Sequence, residues 1–121
     1  MNSEELKKSN KKRAIEVIRL VESLPKCVAT DIIGKQVIRS ITSVAANYRS
    51  ACRARSRADF INKLGIVEEE ADETLFWIEM LEESGKVKEE SISALQKEIQ
   101  EIVAIFSASH KTAKASRSIK S

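Results

Sequence analysis

Apolar residues recur three and four positions apart in four separate stretches of this sequence, and nowhere do apolar and polar residues alternate as in a strand. Pro25 follows the first stretch and cannot continue a helix, while Gly85 follows the third and favours the left-handed conformation that ends helices. Four helices are therefore predicted, at about 4–24, 30–52, 57–83 and 89–109. Their short connections favour an all-α, antiparallel up-down-up-down four-helix bundle.

The two ends of the chain are more polar than the four stripes. The first turns of helix one, residues 4–12, are too polar to bury, so we expect them to fray. Beyond residue 110 no apolar stripe continues, and basic residues stand without acids: Lys111, Lys114, Arg117 and Lys120. The expected organisation is a four-helix bundle over residues 1–110 and a basic, flexible tail over residues 111–121.

Several apolar residues fall outside the stripe of their own helix. One bundle core does not cover all of them, which indicates a second buried surface. The simplest partner for such a surface is another copy of the chain, so we expect a homo-oligomer. The residues concerned are Ile15, Ile32, Ile38, Ile61, Trp77 and Ile105.

The charges divide the chain into a basic part and an acidic part. Residues 1–57 hold 13 Lys and Arg against 5 Asp and Glu, whereas residues 58–101 hold 4 against 13. The net charge of the whole chain is only +3. This division indicates that the two parts neutralise each other, within one chain or between copies, which differs from the uniform basicity of many nucleic-acid-binding proteins.

The sequence argues against several classes of protein. Cys27 and Cys52 form neither a disulfide framework nor a zinc motif, so a reduced, cytoplasmic protein is expected. No apolar run is long enough for a membrane helix, and the charged N-terminus is not a signal peptide. The chain has no glycine-rich phosphate loop, and its single histidine, His110, lies outside the predicted helices. We therefore expect no enzyme, no cofactor and no metal site.

Residues 33–81 carry four short motifs in sequence. They are Gln36-x-x-Arg39-Ser40, Ser43-Val44-x-Ala46-Asn47-Tyr48-Arg49, Ser56-x-x-Asp59-Phe60 and Glu70-Ala71-x-Glu73-Thr74-x-x-Trp77. With this combination the chain resembles the bacterial four-helix-bundle proteins, also called 23S rRNA intervening-sequence proteins. The resemblance covers helices two and three closely, and the flanking helices agree in length and placement.

The resemblance implies a four-helix fold that assembles into a homopentameric ring. Some members of the family are encoded within insertions in ribosomal RNA genes. A related group consists of accessory proteins to the reverse transcriptases of diversity-generating retroelements, and these are thought to bind nucleic acid and the polymerase. The implied partners are further copies of the chain, RNA or DNA, and a reverse transcriptase or another protein, with no membrane.

A basic stripe on helix two continues into the loop before helix three. Its cations are the candidate nucleic-acid contacts, because such a stripe can follow a phosphate backbone: Lys35, Arg39, Arg49, Arg53, Arg55 and Arg57. The alternative is ion pairing with the acidic helix three, which we favour for Arg39. For the loop arginines both alternatives stay open. No aromatic residues interleave with these cations, so any binding would rely on charge and shape rather than on the bases.

A second candidate site is a polar cluster at the edge of the core. Ser43 and Asn47 on helix two need hydrogen-bond partners, which Glu70 or Glu73 on helix three are expected to supply. We interpret the cluster as a polar pair that sets the helix register, with a small binding site as the alternative. Trp77 is expected to anchor the core or a subunit interface.

Two functions from different classes remain open. The working hypothesis is a non-enzymatic, homo-oligomeric scaffold with weak, sequence-tolerant nucleic-acid binding through the basic surface. The alternative is a purely structural or protein-interaction module, for example an accessory subunit, whose charges serve only contacts between subunits.

Overall fold

The chain folds into four α-helices, seen in a computed structural model that describes residues 1–120 and the side chains of residues 1–116. The helices are α1 (Ser3–Glu22), α2 (Val28–Ala51), α3 (Arg57–Glu83) and α4 (Glu89–Lys120). Consecutive helices pack along one another across short loops and therefore run antiparallel, whereas α1 and α4 touch only sparsely. Within the described range there is no strand, so the prediction of an all-α four-helix fold is confirmed. Assembly into a ring stays a prediction.

No helix in the described part of the chain combines the length and the apolar character that crossing a bilayer requires.

The bounds of α3 agree with the prediction, because the residues predicted to begin and end this helix do so. The Ser56 hydroxyl accepts the backbone N–H of Asp59 at 3.0 Å and so caps the first turn. The helix ends before Gly85, whose φ of +76° is the left-handed conformation required at that position.

α2 begins at Val28, slightly before the predicted start at residue 30. The Thr30 hydroxyl lies inside the first turn, where it donates to the Pro25 carbonyl at 2.6 Å and accepts the Cys27 N–H at 3.1 Å. These bonds tie the loop to the helix and let the first turn form around Thr30 instead of after it.

The four predicted stripes meet in one core. Gly34 brings α2 close to α1, since a Cβ atom at that position would lie 2.7 Å from Cγ1 of Val21. The largest completely buried apolar side chains come from all four helices: Val17, Val37, Ile41, Val44, Leu64, Val67, Ile78, Leu81, Ile92, Ile99 and Phe106.

The first turns of α1 are packed rather than frayed. Leu6 is 7% exposed and Asn10 is completely buried, so the prediction that residues 4–12 are too polar to bury is wrong. Two positions four apart lie on one helix face and can bury it while Lys8, between them, stays exposed. Neither polar atom of the Asn10 side chain has a hydrogen-bond partner among the described residues.

α4 continues past its predicted end near residue 109. His110 packs against Gly65 of α3, and Ala113 is 6% exposed. Residues 111–116 are therefore helical rather than a flexible tail, because their helix-forming composition is joined by contacts that favour continuation. The rest of the predicted tail lies outside the residues whose side chains are described: Arg117, Ser118, Ile119, Lys120 and Ser121.

Most apolar residues predicted to fall outside the core remain incompletely buried. Three are exposed, namely Ile15, Ile32 and Ile105, at 45%, 54% and 37%. Ile38 and Trp77 are half-buried against the core. Ile61 is buried, which corrects its prediction, because it lies one turn before Leu64 on the same face of α3. α3 exposes three further apolar side chains: Ile66, Phe76 and Met80.

Candidate nucleic-acid interface

α2 carries its cations on the side opposite its buried residues. Tyr48 belongs to the buried side, and its ring lies 5.2 Å from the ring of Phe106. Burial, with a smaller contribution from Cys52, raises the pKa of Tyr48 to about 12, so the phenol stays neutral. Tyr48 is thus a core residue and not a platform for base stacking. The outer side of α2 is left to Lys35, Arg39 and Arg49, and Arg53 follows in the loop after the helix.

Arg39, in the middle of α2, is held by α3. Its guanidinium donates to the Glu70 carboxylate at 3.1 Å and to the Glu73 carboxylate, and its Nε donates to Gln36 at 3.1 Å. Of the two alternatives for Arg39, the structure contains the ion pairs within the chain. The Trp77 indole N–H donates to Glu73 at 3.1 Å, and this bond together with Arg39 holds the pKa of Glu73 below its ordinary value.

Three arginines at the C-terminal end of α2 line a shallow cleft that faces the start of α3. Arg49, Arg53 and Arg55 form one side of this arginine cleft, and Asp59 and Lys63 form the other. Among the described residues, no carboxylate oxygen lies within 4.0 Å of these three guanidinium groups. The carboxylate of Asp59 instead lies 4.0 Å from the Lys63 ammonium. The cleft therefore presents an excess of cations to solvent.

The other two predicted cations lie outside the lining of the arginine cleft. Lys35 pairs with Asp31 one turn earlier on α2, at 3.3 Å, and both side chains are exposed. Arg57 is the first residue of α3 and is exposed. Both belong to the basic surface in the broad sense, but neither contributes to the concave part.

The predicted polar cluster separates into two groups. Asn47 donates to the Ser43 hydroxyl at 2.9 Å and to the Ser43 carbonyl at 3.0 Å, so this pair is satisfied within α2. Glu70 and Glu73 bind Arg39, and Trp77 joins them through Glu73, as described above. The structure thus brings the two glutamates and Trp77 together but does not connect them by hydrogen bonds to Ser43 or Asn47.

A buried polar pair that the sequence analysis missed connects α2 to α3. Thr74 Oγ1 lies 2.8 Å from Ser40 Oγ and 2.8 Å from the Glu70 carbonyl oxygen, and both hydroxyl residues are completely buried. The sequence did indicate that Thr74 is buried, since it lies three residues after Ala71 and four before Ile78, inside the buried stripe. This pair has the register-setting position that was expected of Asn47.

Other reactive side chains are dispersed over the fold. In the part of the chain that the structure describes, no three His, Cys, Asp or Glu side chains are grouped so as to hold a metal ion. His110 Nδ1 lies 3.3 Å from a Glu68 oxygen. Both cysteines are free, with Cys27 exposed and Cys52 half-buried, and hydrogen bonds with Thr30 lower the pKa of Cys27.

Comparison with known proteins identifies relatives of this bundle. A family model described as "23S rRNA-intervening sequence protein" matches residues 3–108. A crystal structure of a protein of unknown function, from the S23 ribosomal protein family of Bacteroides thetaiotaomicron VPI-5482, is similar with a TM-score of 0.81 and 33% sequence identity. The similarity covers 92% of this chain and 99% of that one. A search of curated proteins finds no significant match.

Proposed function

The chain belongs to the 23S rRNA-intervening sequence protein family, and from this premise we propose that it is a non-enzymatic, self-associating scaffold that contacts nucleic-acid phosphates through its arginine cleft. One observation carries the nucleic-acid part of the proposal. Arg49, Arg53 and Arg55 have no carboxylate partner among the described residues, whereas Arg39, earlier on α2, has two.

The chemistry of the cleft suits phosphate. A guanidinium presents N–H donors in a planar fork that matches two phosphate oxygens, and each neutralised phosphate releases counterions. The lining of the cleft contains no aromatic side chain on which a base could stack. Binding is therefore expected to depend on charge and backbone shape, with little preference for sequence.

Self-association is supported by the apolar surface that one copy leaves in solvent. Ile15 and Ile32 are exposed on α1 and α2, and Phe76 and Met80 are exposed on α3. Apolar residues concentrated on particular helix faces are typical of surfaces that contact another protein. The family resemblance implies a pentamer, and closed rings are a usual result of repeated contacts between identical copies.

The experiment for the nucleic-acid contact is a filter-binding titration of single-stranded and duplex RNA and DNA at several salt concentrations. We expect the double variant Arg53→Ala with Arg55→Ala to bind about tenfold more weakly at low salt, and the slope of log affinity against log salt to decrease in magnitude by about two. The matched control is Lys86→Ala with Lys88→Ala, which removes the same charge from the α3–α4 loop and should change affinity less than about twofold. Absence of binding at low salt, or equal losses in both variants, would refute the contact.

The second candidate function is a protein-interaction module without nucleic-acid contact. It is favoured by the aromatic pair on α3, where the exposed Phe76 ring meets Trp77 edge-on with centroids 4.8 Å apart. Such pairs are frequent anchors in interfaces. A reverse transcriptase or another protein is the partner class that the family resemblance implies. A chain that oligomerises in light scattering but binds no nucleic acid would favour this candidate.

A further inference from the structure

α3 carries a stripe of partly exposed side chains on its outer side, of which Glu73 also pairs with Arg39 of the same chain. Ile66, Glu69, Glu73, Phe76 and Met80 follow one another at steps of three and four, so they lie along one face of the helix. Ile66, Phe76 and Met80 are 39%, 49% and 39% exposed, and Phe76 contacts the neighbouring Trp77 ring edge-on. We name this face the acidic α3 stripe, because two glutamates lie between its apolar side chains.

A groove with the complementary character lies between α1 and α2. Its floor is formed by small residues, Ala14, Ala45 and Ala46, and Ile15 forms an exposed apolar wall. Lys11 and Arg49 lie at one end of the groove, because antiparallel packing puts the start of α1 beside the end of α2. We name it the basic groove. A row of alanines leaves the space that a helix side chain needs to enter.

The two surfaces match in spacing as well as in charge. Glu69 and Phe76 are seven residues apart on α3, which is about 10 Å at 1.5 Å per residue. Arg49 and Thr42, which line opposite ends of the basic groove, are also seven residues apart on α2. A helix laid along the groove with Glu69 at the cationic end therefore has Phe76 toward the Thr42 end, away from the cations.

We propose that the acidic α3 stripe of one copy docks in the basic groove of a second copy, with Glu69 against Lys11 and Arg49 and with Phe76 against Ile15. In the assembled protein Arg49 then belongs to this contact, and Arg53 and Arg55 remain for the phosphate contact. The proposal rests on the self-association proposed above and specifies its contact surfaces. α3 already packs on α2 of its own chain through its buried side, so its outer stripe cannot enter the groove of the same copy.

A second copy is the occupant that the charges favour. Residues 1–57 carry an excess of eight positive charges (13 − 5) and residues 58–101 an excess of nine negative charges (4 − 13), so each surface finds its complement on the same molecule. Because the contact joins two different surfaces, an open chain of copies keeps one free stripe at one end and one free groove at the other until a ring closes.

The experiment uses two variants that each remove one surface. The groove variant is Lys11→Glu with Ile15→Glu, and the stripe variant is Phe76→Ser with Met80→Ser. All four positions except Lys11 are apolar and at least 39% exposed, so the fold should tolerate the changes. Controls at exposed positions outside both surfaces are Ala94→Glu with Lys97→Glu for the groove and Val28→Ser for the stripe.

Light scattering and sedimentation give the mass, and circular dichroism gives the helix content. We expect each variant alone to be monomeric, with self-affinity at least about thirtyfold weaker than wild type, while the controls keep the wild-type mass. An equimolar mixture of the two variants should form a 1:1 heterodimer, because it restores one intact stripe and one intact groove that cannot propagate. If a variant loses helix content, the single changes Ile15→Ser and Phe76→Ser enter the same assay.

The outcomes separate this contact from the proposed scaffold. A monomeric wild-type chain overturns both. A wild-type oligomer whose two variants keep the wild-type mass overturns the contact and leaves the scaffold intact. Two monomeric variants that form no heterodimer on mixing also overturn the contact, because that result means that an intact stripe and an intact groove do not bind each other.

Discussion

Arginines have opposite environments in the middle and at the end of the contact between α2 and α3, which we call the α2–α3 seam. In the middle, Arg39 lies against Glu70 and Glu73, and a buried hydroxyl pair beneath it connects the two helices. At the end, Arg49 and Arg53 face a stretch of α3 whose only carboxylate lies beside Lys63. Arg39 and Arg49 lie on the outer side of α2 and Arg53 lies in the loop that follows it, yet only Arg39 is neutralised.

The difference shows that a basic stripe is not one functional unit. Each arginine is either paired within the chain or free to bind a ligand, depending on which residues the neighbouring helix places opposite it. An exposed ion pair contributes only about 0 to 1 kcal/mol, so the pairing of Arg39 matters more for register and for hiding its charge than for stability. The unpaired arginines contribute little to the fold, and their charge is therefore free to act on a ligand.

The largest expected effect is on stability in the middle of the seam. Thr74→Val keeps the shape of the side chain but removes the hydroxyl that pairs with Ser40, and we expect the free energy of unfolding to fall by about 1 to 2 kcal/mol. Urea unfolding with an unchanged m-value measures it. At the end of the seam, Arg53→Ala with Arg55→Ala should change stability by no more than about 0.5 kcal/mol.

Two further variants control for the chemistry of the Thr74 change. Thr74→Ser keeps the hydroxyl and should lose less stability than Thr74→Val. Ser40→Ala combined with Thr74→Val removes both polar groups and should recover part of the loss. A Thr74→Val protein as stable as wild type would show that the pair does not hold the seam.

An intermediate effect, on nucleic-acid affinity, is expected when Arg39 is left unpaired like the arginines at the end of the α2–α3 seam. Glu70→Gln with Glu73→Gln removes both carboxylates beside Arg39 and leaves its charge unpaired. If the arginine cleft binds phosphate, the longer cationic surface should raise nucleic-acid affinity about threefold at low salt. Filter binding measures the change. Asp72→Asn with Glu79→Gln removes the same charge from α3 away from Arg39, and an equal gain there would mean that only net charge matters.

The smallest effect is a pH-dependent one at Glu73. Its pKa in the folded chain is lowered, so its ionised form stabilises the fold above the ordinary glutamate pKa of about 4.3, and the contribution is lost as the pH falls through the folded-state pKa. We expect Glu73→Gln to lower the free energy of unfolding by about 0.5 kcal/mol at pH 7 and to converge with wild type in acid.

Urea unfolding at several pH values between 7 and about 3 tests this expectation. Glu79→Gln, on the same helix, is the control and should show no such convergence. A Glu73→Gln deficit that stays constant with pH would mean that the charge of Glu73 is not what stabilises the seam.

The elements with strong local signals were predictable from sequence. α3 has a capping serine, a sustained apolar stripe and a glycine stop, and both of its ends agree with the prediction. The arginine cleft was also visible as a run of cations on α2 and in its loop. Of the division into paired and unpaired arginines, only the pairing of Arg39 was predicted. Which carboxylates face the other arginines depends on the register of two helices far apart in sequence.

Sequence alone determined the number of helices, their type and most of the core, because amphipathic periodicity acts within a few turns of chain. Tertiary structure alone decided three matters. Asn10 is buried because other helices surround it, α4 continues past residue 109 where His110 packs on Gly65, and Ser40 pairs with Thr74 rather than Asn47 with a glutamate. Each depends on a contact between distant segments, and the free energy of such a contact is set by geometry that no local pattern encodes.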